Sequence, residues 1–459
     1  MEYTLMHVAR LPFLRQVQQD RLFVRASNVA VEYAGILALL VYALFWLPLE
    51  DVSGAAEVVL IGLFFWTLWR DPRRELLRSP LVLIALGWIS YQLLFVPFVI
   101  REFPELLAGQ IEYALHYAKL ALIPMVAWWL GGAVRTVALM FGLAALGFIL
   151  GVTFQADGVL DSIHSIGKHK RLGLGYRNWE HVAVYAGFAL LILTGLWRQL
   201  AGWFGRHQRF GHTCVAAGII YCLWLVMITQ TRAVWLGLSF AALVAGIAAL
   251  LVRRTDRSGH RDDRESRRGA IWLLAGALGV VVALMGVLDI PELVERRLAQ
   301  EQHVVDMIVA GELDEVPLTS IGIRIVSWRQ ALEWIAERPL LGWGPKTRYH
   351  LFENGELPSI IPGRHRIHHF HNQYIETSIA YGLIGVLVYT AVLVLVIHAA
   401  WRAWRDGLMP RNVLLFGIAA LAFWSTVNMF ESYFNYSTGT YINALLGGAF
   451  YTYRFARRT

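Results

Sequence analysis

Three basic side chains in this 459-residue chain stand where they could do chemistry: Arg232, Arg324 and His371. Arg232 lies in TQTRAVWLGL, a very short polar turn between two apolar runs, where a guanidinium is costly unless it is paired or reaches an interface. Arg324 lies in SIGIRIVSWRQALEWIAE, where Arg324, Trp328, Ala331 and Ile335 recur at helical spacing, so it shares an apolar stripe while Arg329 is turned away. A guanidinium on a buried stripe calls for an anionic partner. His371 opens HNQYIETSIAYGLIGVL, where a long polar segment passes into an apolar run. An imidazole can accept a proton from a hydroxyl near neutral pH. Guanidinium groups stay charged and grip phosphate through paired hydrogen bonds. The combination suits proton removal from an acceptor while negative charge grows on a phosphate leaving group.

Metal catalysis is the rival chemistry, because His368, His369 and His371 are clustered. A catalytic zinc site usually adds ligands from elsewhere, and a magnesium site for a diphosphate wants closely spaced carboxylates. The nearby acids Asp306, Glu312, Asp314 and Glu315 are scattered, so the expectation is no metal site and no cofactor. GWGP at 342–345 lacks the Lys-Ser/Thr ending of a phosphate loop and follows no strand. No serine stands in a nucleophile motif, which argues against a covalent intermediate.

The elements that must position these residues are membrane helices. The chain is 57% hydrophobic and only 16% charged, against roughly 25% charged for soluble domains. Its apolar runs are continuous rather than alternating, which excludes a porin-type barrel, and too numerous for a soluble enzyme on one anchor. They fall at 27–49, 55–70, 79–99, 112–130, 132–154, 179–200, 211–230, 233–252, 270–289, 371–399, 411–429 and 439–455, giving an all-α polytopic membrane protein of about twelve spans. The division is spans one to nine over 1–289, a helical cap over 290–370, and three further spans over 371–459. Arg10, Arg15, Arg21 and Arg25 ahead of the first run argue against a cleaved signal and for a cytoplasmic N-terminus. The net charge of +8 then reports orienting loops rather than nucleic-acid binding. Cys214 and Cys222 sit in one apolar run and form no disulfide framework.

With that orientation the positive-inside pattern holds for the short loops, and the exceptions are informative. Lys168, Lys170, Arg171 and Arg177 lie on the outer side, as does the basic 290–370 segment. Charge kept outside, where topology does not require it, points to an anionic substrate there, with lipid head groups as the alternative. Within the cap, 291–310 and 320–337 have helical spacing, the second closing before Pro339.

At these residues the chain resembles the O-antigen ligase and polymerase superfamily of bacterial envelope glycosyltransferases. The likeness is carried by GLGYRNWEHVAVYAG (173–187), TQTRAVWLGLSF (229–240), RIVSWRQALEWIAERPLLGWGP (324–345) and HNQYIETSIAYGLIGVL (371–387). It implies a GT-C-like fold with a periplasmic cap between helices nine and ten, embedded in the lipids of the bacterial inner membrane. Arg232 and Arg324 would hold the diphosphate of an undecaprenyl-linked glycan, and His371 would activate the acceptor hydroxyl. Lys170, Arg171, Arg177 and Asn372 are further substrate-binding candidates. Tyr176-Arg177 stands where His-Pro often precedes Asn in the family, which leaves Arg177 less well assigned. The long basic cap favours a ligase acting on lipid A–core. Polymerisation of an envelope polysaccharide is the alternative within the family. A flippase would carry a repeat between halves, and no internal duplication is visible.

Overall fold

The computed structural model describes residues 29–70, 76–155, 178–255, 306–307, 320–354 and 369–455. The described residues form helices and turns without strands, as a polytopic membrane protein requires. Six of their helices are long and apolar enough to cross a bilayer. In chain order the helices are α1 (Val29–Phe45), α2 (Glu50–Arg70), α3 (Pro80–Glu102), α4 (Leu107–Ala118), α5 (Leu122–Leu130), α6 (Val134–Gln155), α7 (Trp179–Gly195) and α8 (Trp197–Gly202). They continue with α9 (Gln208–Ile228), α10 (Arg232–Thr255), α11 (Ser320–Glu337), α12 (Arg348–Asn354), α13 (Gln373–Arg405), α14 (Arg411–Val427) and α15 (Ser437–Tyr451).

Eleven of the apolar runs coincide with these helices. Two are divided between separate helices, the 112–130 run between α4 and α5 by a 3-10 turn at Lys119–Ala121 and the 179–200 run between α7 and α8 at Leu196, and the 371–399 run is kinked within one helix. The run at 270–289, most of the cap's first half, and Lys170, Arg171, Arg177 and His368 lie outside the described residues.

The chain divides into two compact units. The first contains Met1–Leu60, Gly131–Glu295 and Ala403–Val427; in it α1 packs on α6, α7 on α9, and α10 on α14. Small residues allow the close approach, since a Cβ on Gly147 would overlap the Leu44 carbonyl and one on Gly187 would lie 2.7 Å from the Phe423 ring. The turn just ahead of Arg232, which opens α10, belongs to this unit. It is as short as the spacing predicts, with Gln230 at φ 48 between α9 and α10 and the Trp235 indole donating to the Val226 carbonyl.

The second unit contains Ile61–Leu130, Arg296–Arg402 and Asn428–Thr459. Here α5 packs on α15 through Gly447 and Gly448, where added Cβ atoms would meet Ile123 at 2.8 Å and Val126 at 2.5 Å. α13 is broken at Gly382 (φ 57, ψ −150). Such a break frees backbone groups that hydrocarbon cannot satisfy. The turn after α11 takes them up: Trp343 N donates to Ile379 O at 2.7 Å, Gly344 N to Ala380 O at 3.0 Å, Leu383 N to Pro339 O at 2.8 Å, and Ile384 N to Leu340 O at 3.3 Å. The segment PLLGWG is therefore a backbone clamp on a broken membrane helix, with Gly342 (φ 72) and Gly382 facing each other. A Cβ at Gly382 would sit 2.5 Å from the Leu340 backbone. We expect Gly382→Ala to lower the thermal midpoint of the purified protein, by about 1–3 kcal/mol for the backbone conformation alone and more for the overlap. An unchanged melting profile would show that the clamp carries no stability.

Candidate active site

The cap helix α11 lays one face over the start of α13. Ala331 and Trp334 are buried in a cluster with Leu351, Phe352, Phe370 and Ile379, and Trp328 packs at its edge. The Trp328 indole donates to the Phe370 carbonyl at 2.6 Å, one residue before His371. Arg324 lies one turn N-terminal to Trp328 on the same side, half-buried, whereas Arg329 is exposed. The helical phase read from the sequence thus describes the folded helix. Beyond α11, Arg338 pairs with both carboxylate oxygens of Glu102 and lies 3.9 Å over the Trp343 ring. These bonds raise the Arg338 pKa further, Glu102 being the main cause.

His371 has φ 50, an uncommon conformation for a residue with a side chain. The following residue, Asn372, is the cap of α13: its side-chain oxygen accepts from Tyr374 N at 3.0 Å and Ile375 N at 3.2 Å. Gln373 anchors the same end, donating its backbone N–H to Asn428 O at 2.8 Å while its side-chain oxygen accepts from Phe434 N at 2.7 Å. These anchors bring the 428–435 segment against His371. His371 Nδ1 lies 2.9 Å from Glu431 Oε2, and His369 Nε2 lies 2.6 Å from Glu431 Oε1. The carboxylate is 2% exposed and the two imidazoles 14% and 30%, for His369 and His371 respectively. Ser432 N also donates to Glu431 Oε1 at 2.8 Å.

A second buried pair stands beside the first. Arg348 and Glu376 are 3% and 1% exposed, with Nη1 3.3 Å from Oε2. Glu376 Oε1 accepts from Phe370 N at 2.8 Å and from the Ser432 hydroxyl at 3.2 Å, so residues on either side of His371 and Glu431 share one carboxylate. The Arg348 guanidinium lies 4.7 Å from the Tyr113 ring and 4.8 Å from the Tyr349 ring, and Lys346 Nζ lies 3.7 Å from the latter. Burial alone would raise the Tyr349 phenol, but the Arg348 charge, the Tyr113 hydrogen bond and the Lys346 ammonium outweigh it and lower its pKa.

An ionised carboxylate only accepts hydrogen bonds, so Glu431 fixes the His371 proton on Nδ1 and leaves Nε2 able to accept one. That is the arrangement of a positioned general base. Residues 217–390 match a family described as O-Antigen ligase, a span that contains Arg232, Arg324 and His371. Over that span the chain is similar to the O-antigen ligase/polymerase superfamily. It is also similar to the Exopolysaccharide production protein ExoQ of Rhizobium meliloti (strain 1021), at 23% identity over 274 residues that cover 58% of this chain and 53% of that protein. The chain thus spans about half the length of the curated relative it matches.

The second unit brings together His371, Asn372 and the α11 face that carries Arg324, while Arg232 belongs to the first unit. Asn372 spends its carbonyl oxygen on capping α13. The sequence reading missed Glu431, Glu376 and Arg348, and it gave His369 no role beyond membership of the histidine cluster, whereas the imidazole is largely enclosed and held against Glu431. One signal was available. Glu376 and Glu431 are lone acids in apolar surroundings, IETSIA and NMFESYF, and such acids need partners.

Proposed function

We propose that this membrane protein is an inverting, metal-independent glycosyltransferase. It moves an O-antigen glycan from undecaprenyl diphosphate to a sugar hydroxyl of lipid A–core at the periplasmic face of the bacterial inner membrane. The observation that carries the reading is the 2.9 Å contact between His371 Nδ1 and the buried Glu431 carboxylate at the start of α13. His371 Nε2 takes the acceptor's proton as the hydroxyl oxygen bonds to the anomeric carbon; the bond from that carbon to the diphosphate oxygen breaks with inversion. Arg324 and Arg232 stabilise the charge gathering on the diphosphate. The 290–370 segment serves as the cap over this reaction between the ninth and tenth of twelve spans, and Lys170, Arg171 and Arg177 add positive charge for the phosphate-rich substrates.

The name of the R. meliloti relative favours a second reading, chain extension of an exopolysaccharide by the same displacement. One assay separates the two: purified protein is given a polyprenyl-diphosphate glycan, with and without lipid A–core, in the absence of nucleotide sugar and with chelator. Glycan joined to lipid A–core supports the ligase, lengthened polyprenyl-linked glycan supports the polymerase, and no transfer in either mixture removes both. Arg324→Lys keeps the charge and loses the paired geometry, so it should lower turnover roughly tenfold or more, while Arg329→Ala should leave turnover within about twofold. The reverse ranking would move the diphosphate to another face of α11.

A further inference from the structure

We propose that His369, His371 and Glu431 form a binding site for one zinc-type divalent cation, and that the bound cation switches transfer off. A buried carboxylate flanked by two imidazoles can be neutralised by protons or by a dication, and this set offers the nitrogen and oxygen donors that Zn2+ takes. Each residue offers a ligand atom, and those atoms lie within 4.8 Å of one another. With bonds of about 2.0–2.2 Å, one ion bridges them after a small rotation of the partly exposed rings. The donors come from both sides of the site: the His-Phe-His segment ahead of α13 and the loop after α14.

Two details favour the ion. His369 Nε2 approaches Glu431 Oε1 without the geometry of a directed hydrogen bond and has no other hydrogen-bond partner among the described residues, so an ion taking that nitrogen displaces none. Ser432 N meanwhile holds Glu431 Oε1 from behind, the kind of outer contact that orients a ligating carboxylate.

The consequence follows from the tautomer. In the transferase reading His371 keeps its proton on Nδ1, facing Glu431, and works through Nε2. An ion on Nδ1 takes that lone pair and moves the single proton to Nε2, where it blocks the acceptor hydroxyl from being deprotonated. The switch rests on the transferase reading; the binding itself does not.

The test uses full-length protein in detergent, stripped with EDTA and dialysed against graded ZnCl2, with bound zinc measured by mass spectrometry and Co2+ absorption as an independent probe. Wild type should hold one zinc per chain, and His369→Ala and Glu431→Gln should each weaken binding at least tenfold, since even outer-shell losses cost about 10–100-fold. Transfer by wild type should fall as zinc binds and return with EDTA. Whatever turnover His369→Ala retains should need at least about tenfold more zinc for the same inhibition. His369→Gln replaces His369→Ala if the latter does not elute as a single folded species. Wild-type zinc binding by both folded variants, or no zinc held by wild type, overturns the site. Zinc held at the site with transfer undiminished overturns the switch. An absence of transfer under every condition counts against the transferase reading alone, because binding is read without it.

Discussion

Replacing His371 with alanine should lower turnover by about 10²–10⁴-fold while leaving the protein folded and able to bind donor. The size follows from what a positioned base contributes when a hydroxyl attacks. The side chain is partly exposed and makes its closest polar contact with Glu431, so its removal opens little of the apolar core. Glu431→Gln should fall in the same direction: the amide can present an N–H to Nδ1 and so stabilise the tautomer with its proton on Nε2, which is the wrong one for proton abstraction. Single-turnover kinetics with a defined donor and acceptor would measure both, and the anomeric configuration of the wild-type product completes the test. A single displacement inverts. Retention of configuration, or near-wild-type turnover by His371→Ala, would remove the mechanism, since retention demands a covalent intermediate.

Arg348→Ala should destabilise the fold by about 3–5 kcal/mol, because it strands the Glu376 carboxylate without its charge partner in a site closed to water. The loss should spread to the segments that carry His371 and Glu431, as Glu376 also receives the Phe370 amide and the Ser432 hydroxyl. Glu376→Gln preserves those two acceptor contacts and removes the charge, so the double variant Arg348→Met/Glu376→Gln should regain much of the stability lost in Arg348→Ala. Melting midpoints of the wild type, both single variants and the double variant form the cycle that isolates the pair. Additive losses would mean that the two groups do not stabilise one another. In that case the folded state draws its stability at this point from the Trp334, Phe352 and Phe370 cluster instead.

Much of this architecture was legible without coordinates, and the reason is locality. Whether about 20 residues can cross a bilayer depends on their own side chains, so the eleven apolar runs within the described residues became helices with ends displaced by only a few residues. The phase of α11 was likewise local: Arg324 half-buried and Arg329 exposed follow from residues at 3.6 per turn. The position of His371 at a helix start followed from the change of composition there. Interruptions were less legible. The 371–399 run reads as unbroken, yet α13 breaks at Gly382, because the neighbouring PLLGWG turn supplies the hydrogen bonds that make a break tolerable in an apolar setting. The pairings were hidden altogether. Glu431 meets His371 and Arg348 meets Glu376 across long stretches of sequence, and no periodicity reports which buried acid will find which base. Hydropathy and helical spacing are properties of a segment and determined the helices; charge neutralisation in a buried site is a property of groups brought together from several segments, and only the tertiary structure decided it.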